Sequence, residues 1–444
     1  MLIRKMMIVA LCVLLTGCDG LSGQTTMPTT PPPQATATIA AQTATAEPTP
    51  TPTPSPLPTT AEPTPTPEPT HVSLMAVGDI MFQYFEILSA YDKKTKTYDF
   101  NYSFQYINEI LGSADLTMGN FECTLGGKPP YSQRKSLIFN APDEVADTLQ
   151  LAGFDVLQTA NNHANNTWGT GIFHTLDLLE SKGIACTGIR EKAEDKPYLI
   201  ADVKGVKIGI AAYTWCTRTK DGSIKLDYQK LGDDVKGLVN VFSNQTIDAD
   251  LQEMAAMARH MREDGAELVV FCMHWGAEYR RPPDANQKKL AAGLAKAGVD
   301  VVIGSHPHWL QEVDLLPNGL TGGKTIVAYS LGNFFSCQRD EFKGTGYSFK
   351  YSEDSMILRL NLTKPYGGTA TIESVQYLPT WTYMYTTGGR HFTILPLARA
   401  IASPEQYGLN TKAYLNQAKK SLANTEQLMA DAVAKGYLWL METD

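Results

Sequence analysis

This 444-residue chain has no run of lysine and arginine and no nucleic-acid-binding motif, and its net charge is -8. DNA and RNA are thereby excluded as expected partners. Removing Arg4 and Lys5 from the 38 basic residues, and Asp19, Glu47, Glu62 and Glu68 from the 46 acidic ones, leaves the remainder mildly acidic. A broad surface that concentrates a polyanion is therefore not expected, although a local basic pocket stays open. Cysteine is sparse. Beyond Cys12 and Cys18 there are only Cys123, Cys186, Cys216, Cys272 and Cys337, an odd number with no Cys-x-x-Cys pair. That argues against a zinc knot or a disulfide framework and for buried thiols. The apolar run over 6–16 is too short to cross a bilayer.

What stands there instead is a leader. Arg4 and Lys5 precede the apolar run, which closes in Leu15-Thr16-Gly17-Cys18. This resembles a bacterial lipoprotein signal (residues 1–18), implying cleavage before Cys18, lipidation of its thiol and anchoring to the outer face of a cell membrane. The alternative is an ordinary secretory signal with an incidental cysteine. Residues 19–70 are mostly Thr, Pro, Ala and Ser, with runs such as Pro48-Thr49-Pro50-Thr51-Pro52. Such a stretch cannot bury a core, so a disordered, partly polyproline stalk is expected, holding the folded part away from the membrane. Its threonines also permit O-glycosylation.

A main domain over 71–400 and a C-terminal helical extension over 401–444 account for the rest. The extension reads mostly as helix over 404–434, with Tyr414, Leu415, Ala418, Leu422, Leu428 and Val433 at helical spacing. Trp381, Tyr383, Tyr385 and His391 form an aromatic stretch for which core or edge packing is expected. In the main domain one grammar repeats: apolar strand, ligand-bearing loop, helix, next strand. Strands over 72–77, 115–118, 155–160, 267–273 and 301–303 run into Gly78-Asp79, Gly119-Asn120-Phe121-Glu122, Asn161-Asn162-His163, His274-Trp275-Gly276 and Gly304-Ser305-His306-Pro307-His308.

Each signal alone has a bland reading. Asp79 suits a helix N-cap, Asn162 and His163 suit an Asx turn, and a His-x-His occurs by chance. Strand carboxyl ends in an open α/β sheet face one crevice, however, so distant residues can converge there. Two carboxylates, one amide oxygen and three imidazoles make a mixed nitrogen and oxygen set suited to Mn, Fe or Zn. Six candidates exceed one tetrahedral ion and suit two divalent metal ions.

Val77-Gly78-Asp79, Gly119-Asn120-Phe121-Glu122, Ala160-Asn161-Asn162-His163, His274-Trp275-Gly276-Ala277-Glu278-Tyr279, Gly304-Ser305-His306-Pro307-His308 with Gln311, and Tyr329-Ser330-Leu331-Gly332-Asn333-Phe334 follow in order. This series resembles the motifs of the CapA family of poly-γ-glutamate capsule biosynthesis proteins, which are similar to calcineurin-like metallophosphoesterases. The resemblance runs from about Val72 to Phe335. It implies a four-layer α/β/β/α sandwich, with the later strands over 355–363 and 369–378 in the second sheet.

By that resemblance Asp79 and His308 would hold a first metal, and Asn162, His274 and His306 a second. Glu122 would bridge them or serve one. His163 would be the catalytic proton donor. Glu278 and Tyr279 would contact substrate or brace ligands, and Asn333 would support the loop beneath the metals. One position departs: related phosphoesterases usually carry histidine two residues after the first aspartate, where this chain has Met81. The implied roles are a surface-anchored metal-dependent hydrolase or transferase acting on a phosphorylated or γ-glutamyl substrate, with poly-γ-glutamate or its synthesis machinery as partner. The alternatives are a non-catalytic polymer-binding or assembly component, or a general extracytoplasmic metallophosphoesterase.

Overall fold

The computed structural model describes residues 67–134, 136–342 and 348–442. The expected leader over 1–18, with Cys18, and the expected stalk up to residue 66 lie outside the described residues. Alternation along the strands builds the layers. In the strand Thr70–Ile80, Val72, Leu74 and Ala76 face one apolar cluster while Met75 and Val77 face another. In Val206–Trp215, Ile208, Ile210 and Ala212 join the first of these clusters, whereas Ala211 and Tyr213 pack with Met254 and Leu290 of two helices. The shared cluster therefore lies between two sheets, and helices cover each outer face. This is a four-layer α/β/β/α sandwich. Each fully buried Val, Leu or Ile contributes about 1.5–3 kcal/mol relative to exposure.

The first sheet has nine strands, and its main order is Arg390–Pro396, Thr371–Thr386, Asp354–Lys364, Thr70–Ile80, Leu116–Phe121, Val156–Gln158, Ala185–Thr187. The short strand Asn333–Phe335 also pairs with Thr70–Ile80, in parallel, setting Asn333 opposite Asp79. The second sheet has seven strands. It is centred on Val206–Trp215, Leu268–His274, Val301–Ser305 and Lys324–Ala328, which pair in parallel with one another in that order, while Leu199–Val203 and Val313–Pro317 add antiparallel strands.

Two expectations need correction. The strands near 355–363 and 369–378 do not enter the second sheet. Asp354–Lys364 pairs antiparallel with Thr70–Ile80, and Thr371–Thr386 pairs with Asp354–Lys364. The reason is that Thr70–Ile80 has an edge left free by Leu116–Phe121, and Met356, Leu358, Leu360 and Leu362 continue its inward face into the shared core. The helix expected over 404–434 starts only at Lys412 and runs to Ala434, after a short helix Leu397–Ala402. The hydroxyl of Thr411 accepts the Tyr414 N–H and caps the long helix. Trp381 and Tyr383 pack in a core with Leu395, Leu397 and Ala418, as anticipated for that aromatic stretch.

All five cysteines in the described residues are free thiols, and four are buried. Among the described residues no helix is long and apolar enough to cross a membrane.

Candidate metal centre

The singled-out residues come from both sheets. Asp79 and Glu122 lie at or just beyond the ends of Thr70–Ile80 and Leu116–Phe121, and Asn162 and His163 follow Val156–Gln158, all in the first sheet. His274 ends Leu268–His274, and His306 and His308 follow Val301–Ser305, in the second. The crevice is thus formed between the strand ends of two facing sheets, not along one sheet.

Close backbone approach fixes the two main exits. A Cβ on Gly78 would lie 1.9 Å from the Gly332 carbonyl oxygen, and one on Gly304 would lie 1.9 Å from that of Tyr329. Only glycine fits either place. Beyond Gly304 the chain enters left-handed backbone at His306 (φ 92°) and at His308 (φ 58°). Such conformations cost non-glycine residues on the order of 1–3 kcal/mol each and cluster at functional sites. Asp79 steadies the turn, accepting the His306 N–H at 3.3 Å, while its Oδ2 lies 3.1 Å from His308 Nδ1.

At the centre stands Glu122. Its Oε1 is buried with no hydrogen-bond partner. Three imidazole nitrogens surround that oxygen: His274 Nε2 at 3.8 Å, His163 Nε2 at 3.9 Å and His308 Nε2 at 3.9 Å. These separations are too long for hydrogen bonds. For His274 and His308 they suit ligand atoms arranged around a cation with metal–nitrogen and metal–oxygen bonds of about 2.0–2.2 Å, while His163 belongs to none of the possible ligand trios. His306 Nδ1 is likewise buried without a partner. Three overlapping trios bring their ligand atoms within 4.8 Å of one another: Glu122–His274–His306, Asp79–Glu122–His308 and Glu278–His306–His308. Glu122 is shared by two of them. The residues present therefore fit a divalent metal.

Electrostatics agree with the geometry. Burial, then the charges of Asp79 and Glu278, pushes the Glu122 carboxyl well above the usual range. Burial and neighbouring imidazoles hold His274 and His306 well below the ordinary histidine value, so both keep a lone pair. Burial acts downward on His308 too, but its hydrogen bond to Asp79 and that residue's charge raise it overall. A cation among these groups would relieve the cost of Glu122.

The remaining singled-out residues take supporting positions. Asn162 Oδ1 lies 2.7 Å from His274 Nε2. His163 stacks on Phe139 with ring centroids 3.8 Å apart, and burial pushes it down to about 4. Asn333 Oδ1 sits 3.0 Å from His308 Nδ1, so it orients that ring from beneath. Tyr279 has its ring 5.6 Å from that of His308. Glu278 comes closer to ligand distance than its sequence context implied, with Oε1 4.0 Å from His308 Nε2. Met81 packs in the core between the first sheet and its helices.

Other residues were not singled out individually in the sequence. Asn120 donates through Nδ2 to Asp79 Oδ1 at 2.8 Å and lies 3.3 Å from His274 Nδ1, linking the two sheets. Asp227 accepts from Asn162 Nδ2 at 2.7 Å. Asn120 lies inside a motif that already pointed to the site, but the pairing of Asp227 with Asn162 spans 65 residues and leaves no local signal. A cleft of about 750 Å³ opens over the cluster, with His163, His308, Glu278, Tyr279, Asp227 and Tyr228 in its wall. Its size suits a ligand larger than a single ion.

Comparisons with known proteins point to one family. The family model described as the bacterial capsule synthesis protein PGA_cap matches residues 73–338. The capsule biosynthesis protein CapA of Bacillus anthracis is 27% identical over 316 residues, spanning 68% of this chain and 66% of its own length. The PGA biosynthesis protein CapA of Bacillus subtilis (strain 168) is 28% identical over 309 residues, spanning 68% of this chain and 70% of its own. The chain thus spans about two thirds of the length of each. Among solved structures, the Haemophilus influenzae NAD nucleotidase NadN aligns at TM-score 0.41 and 14% identity, over 85% of this chain and 58% of that one. The calcineurin-like phosphoesterase YfkN of Bacillus subtilis aligns at 0.37 and 16%, over 81% and 99%.

Proposed function

Since the chain belongs to the bacterial capsule synthesis protein PGA_cap family, we propose that it serves poly-γ-glutamate capsule biosynthesis through a hydrolase-type site built around two divalent metal ions (Mn, Fe or Zn). The observation that carries this reading is the unpartnered Glu122 Oε1 among three imidazole nitrogens. Asp79, Glu122 and His308 would hold one ion, with Asn162, His274 and His306 at the other and Glu122 between them. When bound, such ions lower the pKa of water and stabilise charge at a phosphoryl or amide centre.

The chain's own side chains supply the rest. Asn166 Oδ1 accepts the Phe139 N–H at 2.6 Å, and that backbone group can only donate. The same oxygen must therefore accept from His163 Nδ1, 2.9 Å away, leaving Nε2 as the atom that faces Glu122. His163 Nε2 would take the proton that the attacking water gives up and pass it to the departing oxygen or nitrogen as its bond breaks. Glu278 and Tyr279 line the cleft beside His308 and would hold the substrate, while Phe139 fixes the plane of the His163 ring.

Leu15-Thr16-Gly17-Cys18 and the Thr/Pro-rich segment support attachment to the outer face of a cell membrane by a lipid on Cys18, with the domain held away from it. The test is hydrolysis of bis(p-nitrophenyl) phosphate and of a γ-glutamyl oligomer with Mn²⁺ present, wild type against His306→Ala. Turnover of either substrate that disappears in the variant supports the reading. Absence of turnover in the wild type leaves the second reading, a polymer-binding or assembly role, which Met81 favours because it offers no imidazole beside Asp79.

A further inference from the structure

A small hairpin outside both main sheets touches the residues of the centre. It pairs Ile224–Leu226 with Gln229–Lys230 through a two-residue turn, Asp227-Tyr228. Asp227 takes left-handed backbone at φ 49°, a conformation that aspartate tolerates better than most residues. Tyr228, 85% exposed, stands at the rim of the cleft.

Three contacts run inward from this hairpin, two from its side chains and one from a main-chain carbonyl. Asp227 Oδ2 accepts from Asn162 Nδ2 at 2.7 Å. A carboxylate oxygen can only accept here, so the Asn162 amide is turned with Oδ1 toward His274 Nε2, 2.7 Å away. Gln229 Oε1 accepts from Asn166 Nδ2 at 3.0 Å. That contact and the Phe139 N–H together hold the Asn166 amide with Oδ1 toward Phe139 and His163 Nδ1. The Lys230 carbonyl closes the interface, accepting from Asn165 Nδ2 at 3.0 Å. Every residue from Asn162 to Asn166 that presents a polar atom to the hairpin is thus held by it, although the two segments lie more than sixty positions apart.

We propose that this hairpin is the positioning element of the centre. Asp227 fixes the Asn162 carbonyl as a metal ligand, and Gln229, through Asn166, fixes the tautomer of His163. The inference rests on the metal-centre reading above. It adds that the orientation of two of that centre's groups is decided by side chains beyond it. Hydrogen-bonded partners of this kind typically change metal affinity about 10- to 100-fold.

The experiment uses the full-length protein. Mn²⁺ binding is measured by calorimetry for wild type, His306→Ala, Asp227→Ala, Asp227→Asn and Asp227→Gly. Asn retains an acceptor for Asn162, and Gly relieves the left-handed turn while removing the carboxylate, which keeps a folded variant in hand. The proposal expects about 10- to 100-fold weaker binding at one site in Asp227→Ala and Asp227→Gly, with most of it restored in Asp227→Asn. In a second arm, Gln229→Leu should slow a methyl phosphodiester more than bis(p-nitrophenyl) phosphate, because only a poor leaving group needs the His163 proton. Wild-type Mn²⁺ binding in Asp227→Gly, or equal slowing of both substrates in Gln229→Leu, overturns the corresponding half of the proposal. If His306→Ala also binds Mn²⁺ as the wild type does, the metal-centre reading itself has failed, and the hairpin proposal falls with it.

Discussion

Glu122 and Asp354 are both buried carboxylates, with 0% and 4% of their surface exposed. Their surroundings differ. Asp354 accepts from Ser421 Oγ at 2.7 Å and from Asn424 Nδ2 at 2.9 Å, both on the helix Lys412–Ala434, with Arg281 at 3.7 Å. Each of its oxygens has a donor. Glu122 Oε1 has none and faces three imidazoles instead. The same burial cost is met in one place by the fold's own hydrogen bonds, while in the other the Oε1 oxygen has none. Asp354 ties the C-terminal helix to the first sheet. Glu86 is also buried with both carboxyl oxygens unpartnered; what distinguishes Glu122 is that imidazoles and a second carboxylate stand within ligand-atom reach of it.

The strongest way to break this comparison is to remove the metal-binding character of one side. Glu122→Gln should lower metal-dependent phosphodiester turnover by about 10³-fold, roughly 4 kcal/mol of barrier, whereas Asp354→Asn should leave the rate near wild type. Steady-state kinetics at saturating Mn²⁺ would check this. Comparable losses in both variants would remove the distinction between the two carboxylates.

Stability should separate them in the opposite direction. Asp354→Ala loses two hydrogen bonds from the C-terminal helix and leaves Arg281 without its nearest carboxylate, so about 2–4 kcal/mol of destabilisation is expected in urea melts. Glu122→Gln in metal-free protein removes a carboxyl with an unpaired oxygen and should raise stability by about 1–3 kcal/mol. Added Mn²⁺ should stabilise the wild type far more than Glu122→Gln.

The pH dependence is smaller but its sign is definite. Burial first raises Asp354 to about 7 from its ordinary 3.8, against the donation of Ser421 and Asn424. A carboxyl with a raised folded value contributes stability that is fully present below the unfolded value and lost as pH rises through the folded one. Metal-free wild type should therefore lose stability between about pH 4 and pH 7, and Asp354→Asn should flatten that part of the curve. Glu122 contributes with the same sign, and metal should cancel its share by holding the carboxylate ionised. As a zero point, Asp248, an exposed partner of Lys289, should change stability by less than about 1 kcal/mol when replaced by Asn.

The convergence of these residues was legible because each candidate ligand stands at or just past the end of an apolar strand, with Gly78 and Gly304 preceding the two sharpest exits. Those glycines are demanded by backbone contacts at 1.9 Å, so the sequence carries a local trace of a long-range approach. The near-continuous apolar runs of Thr70–Ile80 and Val206–Trp215 likewise mark strands covered on both faces. The assignment of strands to sheets was not legible. Asp354–Lys364 has the inward leucines either sheet could use, and only the free edge of Thr70–Ile80 decides its place. Asp227 and Gln229 were also missed, because a two-residue turn gives no sign of which distant asparagines it will touch. Glu278 was seen as a motif residue, but its reach toward His308 depends on the left-handed turn at Tyr279.

The most direct measurement is the metal content of the purified protein after saturation with Mn²⁺ and desalting, wild type against His306→Ala. Convergence of the two sheet ends on Glu122 predicts about two equivalents in the wild type and a clear loss in the variant. A wild type that retains no metal, or a variant that retains as much as the wild type, would contradict the account.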